Sequence, residues 1–346
     1  MGRIQVGADF LIPSIEAPLE SASRYAATFR QIEAAARGGL HGVWVTEHHF
    51  SNYGYTPNPL MLLAGVAREF PQLYVGTAVI VLPLWHPLRL AEDLAVLDIL
   101  AEGKLIVGIG RGYQPYEFLG LGQDIANNRQ QSEEAVEVLI RAWTESDFTH
   151  QGVFYSVPEP VTVLPRPRQR PHPPLWCATT SPESVQYAAR KGFGFMLPTS
   201  FTPPEIAQHR RFVAQAVQDA GHDPARLSLA KNTYVFCSTD EDNVRLAVEG
   251  TRWQQRTAKF LRDGHRPACG MNESPPYPGE PSDADMRARM IVGNPDECIA
   301  QIGALERAGL TYITGVFEYP GVPLQAQLDS IELFGKEVMP AVSRGA

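Results

Sequence analysis

Residues 73–109, LYVGTAVIVLPLWHPLRLAEDLAVLDILAEGKLIVGI, contain one complete strand–helix–strand unit. Leu73–Thr77 and Leu105–Ile109 are short runs of β-forming residues, and Leu88–Leu100 between them has the apolar spacing of a helix. Two strands joined by a crossover helix are the repeating unit of parallel α/β folds. The stretch therefore predicts a parallel sheet with helices packed outside it.

The same alternation continues along the whole chain and gives eight predicted strands. Eight such units close a (β/α)8 TIM barrel, so we expect one α/β domain over residues 1–346. Periodicity does not reveal closure, and an open doubly wound sheet is the alternative fold. The predicted strands are Ile4–Phe10, Gly42–Thr46, Leu73–Thr77, Leu105–Ile109, Leu175–Thr179, Gly194–Leu197, Ser228–Phe236 and Tyr312–Phe317.

Two loop-rich segments do not fit a minimal barrel. Residues 148–174, which follow the fourth strand and its helix, are rich in proline and predict an irregular insertion. Residues 263–285, which follow the seventh strand, are dense in Pro, Gly and Ser. The second segment has little apolar surface to bury, so we expect it to be a mobile lid over the mouth of the barrel.

The composition excludes several classes of protein. The chain has 346 residues, of which 44% are hydrophobic and 20% charged, and its formal net charge is -8. No basic run is present that could neutralise a phosphate backbone, so nucleic acid is not an expected partner. No apolar window reaches the length of a transmembrane helix, so a membrane is not an expected partner either.

The four cysteines are Cys177, Cys237, Cys269 and Cys298, and none belongs to a C-x-x-C pair. This spacing predicts reduced thiols rather than a disulfide framework or a zinc site. A cytoplasmic location follows as an expectation.

The second predicted strand ends in a cluster of titratable residues, Thr46-Glu47-His48-His49-Phe50. Active sites of such barrels lie at the carboxyl ends of the strands, and histidine titrates near neutral pH. The cluster therefore indicates general acid–base chemistry. Adjacent side chains alternate in direction, so one histidine should face the mouth while the other packs outward. The other strands do not end in carboxylates and histidines, which disfavours a metal site.

Glycine-containing turns follow the third and fourth predicted strands. Gly76–Pro83 continues into a smooth apolar run, which either bears a flat aromatic ligand or belongs to the barrel interior. Gly108–Tyr113 allows a ligand to approach the backbone closely and adds a fixed cation, Arg111. This turn lacks the third glycine and the immediate helix of a dinucleotide fingerprint.

After the fifth strand, Thr179–Ser184 supplies hydroxyls at the start of a helix, with Ser181 at the N-cap and Pro182 at the first helical position. Free amides and the positive end of a helix can bind phosphate, although capping alone explains Ser181 equally well. The fourth and fifth strands are neighbours in a barrel, so Arg111 can meet this helix start on one dianion. A phosphate site beside a flat apolar surface suggests flavin mononucleotide (FMN).

In their joint order these motifs resemble the bacterial luciferase-like, flavin-dependent monooxygenase family, and the resemblance covers most of the chain. The residues that carry it are Glu47–Phe50, Asn58-Pro59, Val75–Pro83, His86–Asp93, Gly108–Gly112, the helix start at Ser181 and Val292–Pro295.

The resemblance implies a TIM barrel that binds reduced FMN (FMNH2), which a separate flavin reductase supplies. Reduced FMN would react with O2 at C4a, and the resulting C4a-peroxyflavin would oxygenate a small organic substrate. The resemblance also implies a homodimer, with the helices after the second and third strands as the contact. The alternative for the apolar face of Leu88–Leu100 is that it belongs to the internal core.

The family's functional residues can be carried over position by position. His48 matches the catalytic histidine. Thr77, Ala78 and Val79 match the segment against which the isoalloxazine ring lies, with a non-prolyl cis peptide at Ala78-Val79. The phosphate contacts are matched by Arg111, Thr180, Ser181 and Ser184, and Gly112 and Tyr113 are further predicted cofactor-binding residues.

The chain departs from the light-emitting subunit of that family at two positions. Gly110 stands where that subunit has a reactive cysteine, and Thr180 stands where it has an acidic residue, so light emission does not carry over. Two alternatives stay open. A sister branch of the superfamily transfers hydride with the deazaflavin F420, and some relatives bind flavin without catalysis. The fold carries no information about the substrate.

Overall fold

The computed structural model describes residues 4–15 and 21–343. Within these residues the strands are β1 (Gln5–Phe10), β2 (Gly42–Val45), β3 (Tyr74–Thr77), β4 (Ile80–Val81), β5 (Leu105–Gly110), β6 (Phe148–Gln151), β7 (Ser156–Val161), β8 (Leu175–Ala178), β9 (Gly194–Leu197), β10 (Leu229–Cys237), β11 (Ile291–Gly293) and β12 (Tyr312–Val316). The helices are α1 (Ser21–Arg37), α2 (Pro59–Glu69), α3 (Pro87–Leu100), α4 (Pro115–Gly120), α5 (Asn128–Thr144), α6 (Pro182–Arg190), α7 (Pro203–Asp219), α8 (Glu241–Arg262), α9 (Asp283–Arg289), α10 (Pro295–Arg307), α11 (Leu324–Leu333) and α12 (Met339–Ser343).

Eight parallel strands close into a barrel in the order β1, β2, β3, β5, β8, β9, β10, β12. Closure is direct, because β1 pairs with β2 on one side and with β12 on the other, where Val6 lies opposite Ile313. The fold is a (β/α)8 TIM barrel, and the open-sheet alternative is wrong. All eight predicted strands are present with ends shifted by no more than one residue. The short strands β4 and β11 add to β5 and β10 and were not predicted.

Aromatic side chains fill the amino-terminal half of the barrel. Trp44 stacks on Trp176 with ring centroids 5.2 Å apart, and both meet Tyr312 edge-on. Gly76 is required beside this group, since a Cβ there would lie 2.5 Å from the Trp44 ring. Because Tyr312 is the first residue of β12 and Trp176 the second of β8, the carboxyl ends of the strands are left for a site.

The predicted irregular insertion at residues 148–174 is wrong in its first half. Residues 148–161 form an antiparallel hairpin, β6 and β7, in which Phe148 and His150 face inward. The Glu134 carboxylate of α5 accepts the backbone N–H groups of Val153, Phe154 and Tyr155 at the hairpin turn. A contact from a helix earlier in the chain therefore orders this segment. The proline-rich sequence of the segment does not itself indicate regular structure.

The predicted lid at residues 263–285 is irregular up to Ser282, but its last three residues begin helix α9. Ser282 and Asp285 form a reciprocal capping box that starts this helix. Asn272 donates to the Asn52 side chain at 2.8 Å, which ties the segment to the loop after β2. The mobility of the segment stays a prediction.

The two helix signals named in the sequence, Leu88–Leu100 and the start at Pro182, are confirmed as α3 and α6. Asn294 caps α10 in a capping box with Glu297, and α11 continues through a π-helical turn at Phe334–Val338 into α12. All four cysteines are free thiols. No helix within residues 4–15 and 21–343 is long and apolar enough to cross a membrane.

Candidate active site

His48 lies in a hydrogen-bonded group just past the end of β2. Its Nδ1 is 2.8 Å from Oε1 of Glu117, and the same oxygen accepts the backbone N–H of His49 at 2.9 Å. His48 and Glu117 are 5% and 1% exposed. When Nδ1–H donates to the carboxylate, Nε2 is the basic nitrogen of the ring. Nε2 has no hydrogen-bond partner in the described part of the chain, so it is the nitrogen available to a ligand.

His49 has a different environment, as the alternation along the strand predicts. Its Nε2 lies 2.9 Å from Oε1 of Glu47. The other oxygen of Glu47 accepts the backbone N–H of Val81 at 2.8 Å, and Trp85 donates its indole N–H to the same carboxylate. Burial raises the pKa of Glu47, and these hydrogen bonds oppose that effect. Glu47 and His49 therefore join the β2 loop to β4.

Two tyrosines, Tyr53 and Tyr113, form an aromatic wall beside His48, and the phenol of Tyr234 is close enough to both to interact electrostatically. The ring of Tyr53 lies 4.6 Å from the His48 ring, and that of Tyr113 lies edge-on at 6.1 Å. The Tyr113 hydroxyl contacts the Gln114 amide at 3.2 Å and is close enough to Tyr53 to share a hydrogen bond. Burial raises the pKa of Tyr53, Tyr113 and Tyr234, so the three phenols are neutral near pH 7.

A buried carboxyl group, Asp9, lies beneath this wall on β1. Burial raises its pKa to about 7. Asn232 donates to it at 2.6 Å, and the Thr46 hydroxyl lies 3.1 Å from Asp9 and 2.9 Å from the Ala78 carbonyl. Asp9 is 1% exposed. The group thus connects β1, β2 and β10 with the turn after β3.

That turn contains the predicted non-prolyl cis peptide, Ala78-Val79. Thr77 is buried and donates its hydroxyl to the Gly108 carbonyl at 2.7 Å, whereas Ala78 and Val79 are half-buried. A Cβ on Gly108 would lie 1.9 Å from the Thr77 carbonyl oxygen, so glycine allows the turn to rest directly on β5. The result is a smooth apolar surface on the carboxyl side of β3.

The predicted phosphate-binding residues converge only in part. Arg111 and Ser184 line one cavity between β5, β8, α5 and α6, together with Thr179 rather than Thr180. Thr180 is exposed, and Gly112 and Tyr113 lie outside the lining of this cavity. Arg111 makes no ion pair with any described residue.

Ser181 occupies the N-cap of α6, but its hydroxyl does not cap the helix. It donates instead to the hydroxyl of Ser184 at 3.0 Å. The first amides of α6 consequently have no side-chain acceptor within the described residues. The capping explanation of Ser181 is not supported, and the amides are free to meet an anion.

A second cation, Arg129 of α5, lines this cavity and was not predicted from the sequence. Its guanidinium pairs with Glu133 at 3.2 Å, which partly offsets its charge. Cys177 also lines the cavity, and burial raises the pKa of its thiol to about 12, so it is not a thiolate at neutral pH. Arg129 is the second residue of α5, and its direction depends on where that helix begins and how it is rotated. The sequence pattern specifies neither.

A wider groove lies outside the barrel between α5 and the β6–β7 hairpin. Its lining includes Glu133, Glu134 and Glu137, with Arg141 and Lys191 nearby. Glu134 is already engaged by the hairpin turn. The lining of this groove contains none of the residues that follow the barrel strands. Within residues 4–15 and 21–343, no three His, Cys, Asp or Glu side chains converge as a metal site.

Taken together, the cavity and the strand ends fit a flat phosphorylated cofactor. The uncapped amides of α6 and the unpaired Arg111 suit a phosphate dianion, and the apolar turn at Ala78-Val79 suits one face of a planar ring. His48, Tyr53 and Tyr113 form a contiguous aromatic group past the ends of β2 and β5. These features match what FMN requires of a binding site.

The sequence model of the luciferase-like monooxygenase family matches residues 10–312. The chain is 28% identical over 322 residues to the oxygenase component of flavin-dependent trigonelline monooxygenase from Acinetobacter baylyi, with 90% of this chain and 88% of that protein covered.

Two solved structures share the fold. The monooxygenase RslO1 from Streptomyces bottropensis superposes with a TM-score of 0.85 at 28% identity and covers 97% of this chain and 99% of its own. An F420-dependent secondary alcohol dehydrogenase, solved with an F420-acetone adduct, superposes with a TM-score of 0.77 at 17% identity, over 99% of this chain and 100% of its own. The second likeness concerns the fold alone.

Proposed function

The chain belongs to the luciferase-like monooxygenase family, and from this premise we propose that it is the oxygenase component of a two-component, FMNH2-dependent monooxygenase. A separate reductase supplies the reduced FMN. One oxygen atom of O2 enters a small organic substrate and the other leaves as water, while FMNH2 is oxidised to FMN. Reduced FMN supplies the electrons and the reaction with oxygen, and the protein supplies binding, orientation and a site protected from water.

The observation that carries the choice of cofactor is the unpaired Arg111 beside the uncapped start of α6. A phosphate monoester satisfies both, since the guanidinium and the helix amides donate to its oxygens. Ser184 adds a hydroxyl to the same cavity. Arg129 adds a second guanidinium to the cavity. Because Arg129 pairs with Glu133, it should attract the phosphate less strongly than Arg111 does.

We assign to His48 the handling of a proton at Nε2. Glu117 fixes the ring by accepting from Nδ1–H, and Tyr53 packs against the ring. A histidine held in this way can donate or accept a proton at Nε2 without changing its orientation. Glu117 is therefore a positioning residue, and His49 with Glu47 is a structural pair.

At Gly110 the chain has no room for the reactive cysteine of the light-emitting subunit unless a neighbouring side chain moves. A Cβ at this position would lie 2.6 Å from Cγ2 of Val79, so a cysteine would require the Val79 side chain to move. This supports oxygenation without the luciferase-specific thiol.

We further propose a cytoplasmic homodimer. Met61 of α2 is 75% exposed, and Val96 and Ile99 of α3 are 44% and 43% exposed. These helices follow β2 and β3, where the family resemblance places the contact between subunits, and a second subunit would cover their apolar side chains. Four free thiols suit a reducing compartment.

The test of the proposed function is a comparison of cofactors under anaerobic conditions. Reduced FMN and reduced F420 are titrated separately into the protein, and each complex is then mixed with O2. The proposal expects binding of reduced FMN and its rapid reoxidation. Binding of F420 in preference to FMN would instead favour hydride transfer, and binding of FMN without any change in its reaction with O2 would favour a carrier protein.

A further inference from the structure

We propose that Arg262 binds an anionic group of the substrate, so that the substrates of this enzyme are small planar organic carboxylates. The inference rests on the proposed function, because it assigns a ligand to the space next to the cofactor.

Arg262 is the last residue of α8, at the edge of the barrel mouth. Its guanidinium carbon lies 4.9 Å from the centre of the Tyr113 ring. Within the described part of the chain it forms no ion pair and no hydrogen bond. The carboxylate next to it in sequence, Asp263, pairs with Lys259 at 2.7 Å, and the charge of Arg262 has only a smaller part in lowering the pKa of Asp263.

Other arginines of the same region are already engaged. Arg252 contacts Asp283 and the carbonyl of Pro281, and Arg256 donates to Glu280 at 2.8 Å. Arg262 thus has the Tyr113 ring on one side, and its N–H donors have no acceptor among the described residues. A guanidinium stacked on a ring keeps its planar fork of N–H donors available to a carboxylate.

The Tyr113 ring connects Arg262 with the reacting end of the site. One contact of this ring is with Arg262, and the other is edge-on with His48 at 6.1 Å. An anion bound at Arg262 would therefore place the rest of a small molecule along the same aromatic wall that borders His48. Molecules with a carboxylate on or near a ring match this arrangement.

The surroundings favour a carboxylate over a neutral group. The formal net charge of the protein is -8, so its overall field repels anions, and Arg262 over the Tyr113 ring is the local cation that offsets this repulsion for a bound carboxylate. Tyr53, Tyr113 and Tyr234 are neutral phenols that supply ring surface without repulsion. Glu117, the nearest carboxylate in this group, is held by His48 and the backbone of His49.

The experiment uses the FMN-loaded protein and two matched pairs of probes, benzoate with benzamide and nicotinate with nicotinamide. Calorimetry measures the affinity of each acid and each amide. The expected result is that the acids bind about ten- to a hundredfold more tightly, as a charge-assisted contact to arginine provides. In Arg262→Gln the ratio should fall to about one, and Arg262→Lys should retain part of it.

The matched control is Arg245→Gln, which removes an exposed arginine of the same helix that pairs with Asp242. It should leave the acid-to-amide ratio unchanged. The inference is overturned if wild type does not prefer the acids, if no acid binds at millimolar concentration, or if the preference survives in Arg262→Gln. It is also overturned if Arg262→Gln weakens FMN binding as Arg111→Ala does, because Arg262 would then serve the cofactor.

The two proposals fail in distinguishable ways. FMN affinity is titrated separately, before any probe is added. Absence of FMN binding in wild type contradicts the proposed function, whereas normal FMN binding without selective binding of acids contradicts only the role of Arg262.

Discussion

Glu117 holds Nδ1 of His48 at 2.8 Å, and the same carboxylate oxygen accepts the backbone N–H of His49. One buried oxygen therefore sets both the orientation of the imidazole and the path of the chain behind it. Because Nδ1 is engaged, the ring presents Nε2 to the site, and any proton that His48 moves must pass through that atom.

We predict that His48→Ala still binds FMN but loses control of the reaction with oxygen. The expected loss is about 10²- to 10⁴-fold in the rate of the step that it assists. The time between mixing the FMNH2-loaded variant with O2 and the release of hydrogen peroxide should shorten, since a group that protects the reaction is missing. Stopped-flow absorbance together with a peroxide assay measures this interval without any substrate.

Glu117→Gln and His49→Ala complete that comparison. Glu117→Gln should show the same defect in weaker form, with FMN affinity unchanged and a lower kcat at constant KM once a substrate is available. His49→Ala should lower thermal stability, because it removes the partner of buried Glu47, with a normal oxygen reaction. A normal peroxide interval in His48→Ala, or a selective defect in His49→Ala, would reverse the assignment.

The second prediction concerns the phosphate. Arg111→Ala should weaken FMN binding by about ten- to a hundredfold and leave riboflavin binding nearly unchanged, because only the phosphate meets the guanidinium. Flavin fluorescence titration with both ligands measures the two affinities. Arg129→Ala should act in the same direction with a smaller effect, since Arg129 shares its charge with Glu133. Equal losses for FMN and riboflavin would mean that Arg111 has a structural role.

The sequence was sufficient for the barrel because each strand and helix of the unit carries its own local pattern. Strand ends could be placed within one residue, and the carboxyl-end rule then selected His48, Arg111 and the start of α6 as candidate site residues, which stay predictions. Alternation along β2 also separated His48 from His49 correctly.

The contacts that complete the site join residues from different helices and loops, so the local sequence pattern of a strand or helix does not predict them. Glu117 belongs to the short helix α4 and reaches His48 only after the loop that follows β5 has folded back. Arg129 depends on the rotation of α5, and Arg262 on where α8 ends. The hairpin of residues 148–161 is ordered by Glu134, a residue of the preceding helix. Such tertiary contacts have no period that a single sequence could reveal.

The third prediction is that the segment between residues 263 and 282 opens at its middle. Asn272 is bonded to Asn52 at 2.8 Å and Glu280 to Arg256, which fixes both ends of residues 273–279. Between these ends, Ser274 contacts the Thr257 hydroxyl and Lys259 lies over the Tyr277 ring. Limited proteolysis of the free protein should cut within these seven residues, and bound FMNH2 should slow the cut. Asn272→Ala should speed cleavage in both states.

Asn243→Ala provides the control for that experiment, since it removes an exposed amide on α8 that bonds only to Asp240. It should leave the cleavage rate unchanged. The segment is an ordinary packed loop if residues 273–279 are cleaved equally slowly with and without cofactor and if Asn272→Ala does not change the cleavage rate.

The last prediction follows from Asp9, whose pKa burial raises from 3.8 to about 7 despite hydrogen bonds from Asn232 and Thr46. The charge of Glu318 acts in the same direction as burial. A carboxyl group with a raised pKa binds its proton more tightly in the folded state than in the unfolded state. Its contribution to stability is therefore fully present below about pH 4 and is lost as the pH rises through about 7. A difference of this size corresponds to roughly 4 kcal/mol of unfolding free energy at most.

Asp9→Asn removes the titration while keeping an oxygen that can accept from Asn232 and Thr46. Urea denaturation of wild type and variant at pH 4 to 8 should therefore show a fall in unfolding free energy with pH that is steeper in wild type. Asp219→Asn, at an exposed carboxylate that bonds only to Gln215, should retain the wild-type slope. Parallel curves of unfolding free energy against pH for wild type and Asp9→Asn would show that Asp9 is already ionised at pH 4 in the folded protein. The polar group of Asp9, Asn232 and Thr46 would then hold a buried negative charge rather than a neutral acid.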